Sequence, residues 1–499
     1  MLDNYLENNI KKKLHIFSVL QLRKTISIKE LSKIVKISPS SILGFLDELN
    51  FDFQGLAEIN KKASNFQIDI FEGISISDIF HAIYQSSNIL NCLRFMINND
   101  DNISFSTFSE EFFLTRPTAY RVRKNCVTYL NEIGLDVDKN RVIGDEYRIR
   151  FLIGLLYYKY GIDCCGIDDT SIKLARKFII ATNDKINMDF LEYTSNEYGY
   201  FECLLILSWK RLHHSVSFKK SIDLETLKQV FVYSEIKKHL KATIEMDLNI
   251  TFTEADYDYI YLVYCCTNSC VLADKWTSND IDLVTSFVFS DPKFKDLIFH
   301  FSENFSTSMW QSHAFRSCII YFYKKCLFNL HCIIPDKHYY LDIQKDAFKN
   351  MVFQYVSNTI TEWKQRNNIP YPIDDGHLQY LTIQIASIAK QFIKPIQVFL
   401  VSDLIAEIEV LKLYLSRSFS DQRILIKQVL FNAEDITFMS SLNNCVIITK
   451  KVFAQVLNAL NISESNIIVP VNIEINTLDM TAITNAIVRC EHNIFKNLK

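Results

Sequence analysis

The chain of 499 residues contains only ten glycines and eight prolines, under 4% of its length. These turn-forming residues make up about 12% of an average protein. Sandwiches and propellers of many strands need a turn about every 8–12 residues, so the scarcity of turn-formers argues against them and favours long helices with short connections. Because 48% of the residues are hydrophobic and 22% are charged, the composition predicts a folded, mainly helical protein of several domains.

The charge and the cysteines constrain the partners and the compartment. A net charge of −3 gives no overall attraction to nucleic acid or to an anionic membrane, so any such contact must come from a local patch. No apolar run approaches the roughly 18 residues of a membrane span, and thirteen cysteines without paired spacing are typical of a reducing compartment. The N-terminus also lacks a signal-peptide pattern. We therefore expect a cytoplasmic protein without membrane contact.

The first 70 residues carry the sequence signals of two short helices. Ser27 precedes Glu30 at the spacing of a capping box, and Ser38-Pro39 is typical of a helix start. This pattern predicts a helix-turn-helix with a short turn, followed by a wing hairpin within residues 51–70. Two carboxylates in the second helix leave DNA contact and a packing role equally open for this unit. Its candidate DNA-contacting residues are Ser40, Ser41 and Lys36.

The same pattern repeats further along the chain. Thr107 and Glu110 predict a second capping box. A longer helix is expected from Arg116 to about Ile133, and Gly134 should end it. Two short strands should follow within residues 135–150 as a second wing. Two winged helix-turn-helix units in tandem are the most specific feature of this sequence.

The exposed face of the longer helix is basic. It carries four cations and no carboxylate between Arg116 and Lys124. Such a face reaches phosphates or guanine edges while the opposite, apolar face packs on the first helix. The usual alternative for such a face is a charged surface that only contacts water. Because the basic face coincides with helix caps, a turn and a wing, DNA binding is favoured. The candidate DNA-contacting residues are Arg116, Thr118, Tyr120, Arg121, Arg123 and Lys124 on the helix, and Lys139 and Arg141 on the wing.

The remainder of the chain changes character once. Residues 171–391 show helical apolar spacing almost without a break, and their length fits two helical bundles. After Pro395, apolar runs alternate with helical stretches, which predicts a small α/β domain with a parallel sheet. The expected fold class is mainly α and multi-domain. The expected domains are two winged helix-turn-helix units (1–70 and 71–165), two helical bundles (166–280 and 281–393) and the α/β domain (394–499).

Three stretches resemble a known group of proteins. The stretch from Thr115 to Tyr160, which begins TRPTAYRVRKNC, resembles the helix-turn-helix region of Mga-type regulators, and its specific signature is the block Tyr120–Arg150. The block SWKRLHHSV at Ser208–Val216 and the stretch YFYKKCLFNLHCIIPD resemble the RofA-like branch of that group, which includes RofA and Nra. The resemblance implies a stand-alone transcriptional regulator of adhesin, pilus and other virulence genes in Gram-positive cocci. It also implies that the two bundles are PRD-like regulation domains of the phosphotransferase system and that the last domain is EIIB-like.

Histidines are the working residues that the resemblance implies for such regulation domains. Carrier proteins of the sugar phosphotransferase system phosphorylate them, and the added charge shifts the packing between bundles or dimer partners. A single helical histidine is more often a structural residue, so the two histidines of the SWKRLHHSV block are the preferred candidates. The candidates are His213, His214, His331 and His377.

Several chemistries are not expected. An EIIB enzyme carries a nucleophilic cysteine after its first strand, whereas Val401–Leu404 contains neither cysteine nor glycine, so we expect the EIIB shape without its chemistry and a role in dimerisation or regulation. Cys265, Cys266 and Cys270 lack the paired spacing of a zinc site. No phosphate-binding or dinucleotide-binding glycine motif is present. The sequence predicts a non-enzymatic protein without metal or cofactor.

The combined prediction is a transcriptional regulator that binds promoter double-stranded DNA as a homodimer. The phosphocarrier protein of the phosphotransferase system is a further expected partner. Two alternatives stay open at this point. One is an RNA-binding antiterminator, which shares the regulation domains but begins with a small β-rich RNA-binding module. The other is an enzyme or carrier of the phosphotransferase system.

Overall fold

A computed structural model gives the structure of the chain, in two compact units. The first unit comprises Met1–Pro292, Tyr321–Leu341 and Asn368–His377, and the second comprises Lys293–Ile320, Asp342–Asn367 and Leu378–Lys499. The residues that the structure describes are 2–62, 64–100, 103–218, 222–267, 269–303, 305–335, 347–392, 394–421, 423–431, 438, 441–459, 465–472 and 474–496.

Helices and two small antiparallel sheets form the N-terminal part of the first unit. The sheets have the strand orders β1-β3-β2 and β4-β5. The helices are α1 (Leu2–Tyr5), α2 (Asn8–Arg23), α3 (Ile28–Val35), α4 (Pro39–Asp52), α5 (Ile76–Gln85), α6 (Asn88–Ile97), α7 (Phe105–Glu111), α8 (Arg116–Glu132) and α9 (Glu146–Tyr160). The strands are β1 (Ile26–Ser27), β2 (Ala57–Lys62), β3 (Asn65–Ile70), β4 (Asp136–Asp138) and β5 (Arg141–Ile143).

The predicted first helix-turn-helix is confirmed. The Ser27 side chain accepts a hydrogen bond from the Glu30 N–H at the start of α3, and Ser38 does the same for Ser41 at the start of α4. Lys36 adopts φ 55° and closes α3, which sets the turn between the two helices. Strands β2 and β3 then pair antiparallel as the expected wing hairpin.

The predicted capping box of Thr107 and Glu110 is wrong. Helix α7 begins at Phe105, because the side chain of Ser104 accepts the Ser106 N–H one turn earlier. Thr107 therefore lies inside the first turn of the helix. The register follows from packing, since Phe105 and Phe108 face each other with ring centroids 5.2 Å apart. Burial of aromatic rings outweighs the modest gain of one cap.

Helix α8 has the predicted extent and the predicted end. It runs from Arg116 to Glu132, and Gly134 follows it with φ 76°. The Leu135 N–H donates to the Leu130 carbonyl, and the Gly134 N–H donates to the Asn131 carbonyl. These two bonds form a Schellman motif, which needs the left-handed conformation that glycine adopts without strain.

The middle of the chain is helical, as its apolar spacing predicts. Breaks occur at the expected proline positions around residues 291, 335 and 370. The predicted boundaries at residues 280 and 393 stay predictions. The helices are α10 (Asp169–Thr182), α11 (Met188–Tyr193), α12 (Ser195–Lys210), α13 (Ile222–Leu227), α14 (Phe231–Leu240), a π-helical turn (Lys241–Glu245), α15 (Met246–Leu248), α16 (Glu254–Cys266), α17 (Ser278–Ser290), α18 (Pro292–Ser302), α19 (Thr307–Trp310), α20 (His313–Lys324), a 3₁₀ segment (Leu327–Cys332), α21 (Ala347–Arg366) and α22 (Asp375–Phe392).

The C-terminal part is an α/β domain, and its parallel sheet confirms the prediction from alternating apolar runs. The strand order is β7-β6-β8-β9, and all neighbouring pairs are parallel. The central strands are buried because helices cover them. The elements are β6 (Ile396–Ser402), α23 (Ile405–Ser418), β7 (Ile424–Leu430), β8 (Val446–Lys450), α24 (Lys451–Ala459), β9 (Ile467–Val471) and α25 (Thr477–Lys496).

The end of α8 can be tested by substituting its glycine. At Gly134 a Cβ would overlap the Tyr371 side chain, whereas at Gly55, which also has a positive φ, a Cβ would meet open space. Both Gly134→Ala and Gly55→Ala should cost about 1–2 kcal/mol through backbone strain. Gly134→Ala should cost about 1–3 kcal/mol more through overpacking. Hydrogen exchange of the amides that flank each glycine measures the two local stabilities, and equal losses would contradict the overlap.

Candidate nucleic-acid interface

Helix α8 has one buried face and one exposed, basic face. Its apolar side packs against α6 and α7 and includes the buried Val122, Cys126 and Leu130. The opposite side leaves Tyr120 69% exposed. Of the six sequence-predicted residues on this helix, four are exposed and free to face a ligand together: Arg116, Tyr120, Arg121 and Lys124.

The first turn of α8 favours an anion. Thr115 stands at the N-cap with extended backbone, but its side chain makes no capping bond; instead its hydroxyl donates to Oγ1 of Thr118 at 3.0 Å. The turn holds no acidic residue. Backbone N–H groups at a helix start point toward bound phosphate and are helped by the helix dipole. The position of Arg116 in the same turn adds a full positive charge to this end.

Arg123 has a structural role that differs from the predicted DNA contact. Its Nε donates to Asn140 Oδ1 at 3.2 Å, and its Nη2 donates to the Lys139 carbonyl. These bonds tie the recognition helix to the turn of the wing. Lys139 itself is exposed and has φ 55°, so its side chain stays available. Arg123 therefore positions the wing, and Lys139 remains a candidate for phosphate contact.

Arg141, on the second wing strand, has a competing partner. Its Nη2 lies 3.0 Å from Asp100 Oδ1, and both side chains are about half exposed. An exposed ion pair of this kind contributes only about 0–1 kcal/mol. DNA phosphate can therefore replace Asp100 at little cost.

Phe113, in the turn before α8, is a surface residue that was not predicted from the sequence. Its side chain is 95% exposed and its backbone has φ 51°. A bulky residue with positive φ is unusual, and the exposed ring gains nothing from burial. Its neighbour Phe112 packs on Phe108 instead. The only sequence signal is the run of three apolar residues 112–114 inside a turn.

The first helix-turn-helix presents a weaker surface. Ser40 and Ser41 are exposed, but both hydroxyls lie within hydrogen-bond distance of the Ser38 hydroxyl. Lys36 is exposed in the turn. The carboxylate of Glu48, which faces the same solvent, pairs with Lys13 at 3.1 Å.

Two of the four candidate histidines lie at a cavity near the second wing. His213 and His214 follow α12, and their ring centroids are 4.1 Å apart. Together with Asp100, Arg141 and Arg211 they line a cavity of about 420 Å³. Burial, and next the charge of Arg211, lower the pKa of His214, so its imidazole is neutral at pH 7.

The other two candidates are buried. His331 is 1% exposed and His377 is 2% exposed. His377 Nδ1 lies 3.1 Å from Lys325 Nζ, and its Nε2 lies 3.1 Å from the His331 carbonyl. In this conformation a phosphocarrier has no access to their nitrogens, so of the four candidates the structure brings only His213 and His214 to the surface.

A buried charge network holds the cavity wall. Glu146, at the start of α9, accepts hydrogen bonds from Arg150 Nε (3.0 Å) and from Arg211 Nε and Nη2 (2.8 and 3.0 Å). Arg150 also donates to the carbonyls of Arg211 and His214, each at 3.0 Å. The loop after α12 that carries His213 and His214 is called the histidine loop below. Because the wing is followed directly by α9, this network fixes the histidine loop relative to the wing.

The edge of the C-terminal sheet holds a polar cluster where the EIIB cysteine loop would lie. The Ser402 hydroxyl donates to Glu407 Oε2 at 2.5 Å. Lys450 pairs with Asp403 at 2.8 Å and with Glu407 at 2.7 Å. The cluster thus joins two carboxylates, a hydroxyl and an ammonium group to one another.

Two family comparisons match this chain. Residues 72–157 match the Mga helix-turn-helix domain. Residues 177–385 match the M protein trans-acting positive regulator (MGA) PRD domain. A search of curated proteins found no match. Among the described residues, no helix is both long and apolar enough to cross a bilayer.

The matched ranges contain most of the site described above. The first covers α8, the second wing and Phe113, and the second covers all four candidate histidines. The first helix-turn-helix and the C-terminal α/β domain lie outside both ranges. The comparisons therefore support the prediction of a helix-turn-helix domain followed by a PRD region, and the division of that region into two bundles stays a prediction.

One substitution tests whether the Phe113 side chain contributes to the stability of the fold. Asparagine tolerates positive φ better than phenylalanine, and the exposed ring contributes no burial. Phe113→Asn should therefore leave stability unchanged or raise it by up to about 1 kcal/mol. Thermal unfolding of the full chain measures this. A clear loss of stability would mean that the ring has a packing role.

Proposed function

We propose that this chain is an Mga-type, sequence-specific DNA-binding transcriptional regulator rather than an enzyme, a proposal that its two matched domain ranges support. It reads promoter double-stranded DNA with α8 and the β4-β5 wing. The helical region that follows receives a signal from the phosphotransferase system. The protein acts in the cytoplasm as a homodimer.

The observation that carries this proposal is the solvent face of α8. Arg116, Arg121 and Lys124 are exposed there, and none of them pairs with a carboxylate in the part of the chain that the structure describes. A helix of this kind enters the major groove with its N-terminal residues toward the bases. Tyr120 adds a flat apolar surface for thymine methyl groups. The wing then reaches the neighbouring phosphates through Lys139 and Arg141.

Finer assignments belong to the same proposal. The quoted blocks favour the RofA-like branch, with adhesin, pilus and other virulence genes as targets. The parallel sheet with β6 at its centre supports an EIIB-like shape for residues 394–499. We assign this domain to self-association, because Ser402, Asp403 and Glu407 bond to each other or to Lys450 and offer no nucleophilic cysteine.

The main experiment measures affinity for long duplex DNA over a salt series. The double variant Arg121→Ala with Lys124→Ala should bind more weakly and lose about two units of the slope of log K against log salt, because each phosphate contact contributes about 0.9. Lys173→Ala with Lys185→Ala is the matched control, since both lysines are exposed in the helical middle of the chain. Its slope should equal that of the wild type.

Three outcomes would contradict the DNA proposal. Equal slopes for both double variants would remove α8 from the interface. Preferential binding to a structured leader RNA over duplex DNA would favour the antiterminator alternative. Turnover of a phosphoryl group to a sugar would favour the phosphotransferase alternative.

Regulation by phosphorylation is a second part of the proposal. His213 is exposed beside Arg141, so a phosphate on it would repel Asp100 and attract the wing arginine. Labelled phosphoenolpyruvate with enzyme I and the phosphocarrier should label the wild type. The double variant His213→Ala with His214→Ala should lose the label, and His15→Ala, at an exposed histidine of α2, should keep it. Full labelling of the double variant would place the phosphate elsewhere.

A further inference from the structure

Asp100, His213 and His214 form a cluster that the DNA contact does not use. Each offers one donor atom, and these atoms all lie within 4.8 Å of one another. His214 Nε2 and Asp100 Oδ2 are 3.9 Å apart, which is too long for a hydrogen bond. Two imidazoles and a carboxylate thus converge without bonding to each other.

This donor set fits a divalent transition-metal ion. Imidazole nitrogen and carboxylate oxygen bind Zn²⁺ at about 2.0–2.2 Å, which places ligand atoms about 3.3 Å apart in a tetrahedron. Since all donor atoms lie within 4.8 Å of one another, side-chain rotation has to bring the 3.9 Å pair closer by about half an ångström and no pair closer by more than about 1.5 Å. Three protein ligands leave one position for water, as in exchangeable rather than purely structural sites.

The surroundings favour a cation over an anion. Asp100 lies within the cluster and would repel phosphate or sulfate. Of the two arginines at the cavity, Arg211 donates two hydrogen bonds to Glu146, a carboxylate that it shares with Arg150. The remaining one, Arg141, already occupies one oxygen of Asp100. The Arg141 guanidinium is therefore the cation that Asp100 binds in this structure. A divalent ion would bring a larger positive charge to the same carboxylate.

The backbone around the cluster is anchored on both sides. The His214 carbonyl accepts from the buried Arg150 at 3.0 Å. Asn99, next to Asp100, donates to the Asn140 carbonyl in the wing turn at 3.3 Å. The ligands thus come from two fixed segments that are far apart in sequence.

We propose that Asp100, His213 and His214 bind a divalent transition-metal ion of the Zn²⁺ class, and that the ion displaces Arg141 from Asp100. Metal binding then frees the wing guanidinium for a DNA phosphate. The metal site stands on its own geometry, whereas its effect on DNA rests on the proposed function. A phosphorylated imidazole nitrogen has no lone pair for the ion, so phosphate and metal exclude each other at that atom.

Calorimetric titration of chelator-treated, unphosphorylated full-length protein with ZnCl₂ tests the site. The wild type should bind one ion. The double variant His213→Ala with His214→Ala should bind Zn²⁺ at least about 10- to 100-fold more weakly, and so should Asp100→Asn. This is the loss of metal affinity that follows when a residue that only supports a metal ligand is removed. His15→Ala is the matched control and should bind as the wild type does. Wild-type affinity in the double variant would overturn the site.

The direction in which a fourth variant changes the zinc affinity tests the displacement. Arg141→Ala removes the competing cation, so it should bind Zn²⁺ more tightly than the wild type, whereas damage to the fold would weaken binding. Weaker or equal binding would overturn the displacement of Arg141. Circular dichroism of each metal-free variant checks that the fold is retained.

DNA affinity with and without Zn²⁺ then separates the two proposals. The ion should strengthen duplex binding by the wild type up to about fivefold, because Arg141 no longer has to leave Asp100, a surface ion pair of small net strength, and should leave duplex binding by Arg141→Ala unchanged. Zinc binding with no duplex binding at all would refute the DNA proposal and uphold the metal site. Duplex binding with no zinc binding would do the opposite.

Discussion

Two buried guanidinium groups, those of Arg150 and Arg211, share the carboxylate of Glu146. Removing such ions from water costs several kcal/mol each, so they persist only with close partners. Here Arg150 also donates to two backbone carbonyls and lies over the Tyr259 ring. The network joins the start of α9 to the loop that follows α12. Since the wing precedes α9 directly, the DNA-reading unit and the histidine loop share one rigid support.

A guanidinium and a carboxylate also pair at the wing, where their exposure to water makes the pair exchangeable. The Arg141–Asp100 pair is half exposed, so water screens it and its net contribution is small. The buried network fixes geometry because a broken bond there leaves an uncompensated charge. The exposed pair can exchange partners because either ion can return to water. A fixed support with an exchangeable contact at its edge is what a regulated DNA-binding surface requires.

Much of the fold could be predicted because local signals and packing agree. Ser38-Pro39 and Gly134 mark helix ends whose backbone chemistry is determined by the residues themselves. The exposed basic face of α8 follows from helical periodicity alone. The capping box at Thr107 failed because aromatic packing set the start of α7, and packing is not visible in a local pattern.

The candidate site was harder to predict because it depends on contacts between distant segments. Nothing in the sequence joins Asp100 to His214, which are separated by more than a hundred residues. Arg123 looks like its exposed neighbours in sequence, and only the fold turns it toward the wing. Burial of His331 and His377 likewise depends on tertiary packing.

The bonds from Arg123 to the wing turn have a consequence for changing the operator that the protein reads. Because the recognition helix and the wing are joined through Asn140 and the Lys139 backbone, transplanting α8 alone from a relative would leave the turn without its brace. The exchangeable cassette is the continuous segment from Arg116 to Ile143. For the proposed DNA contact, specificity would therefore have to be engineered in units of helix plus wing.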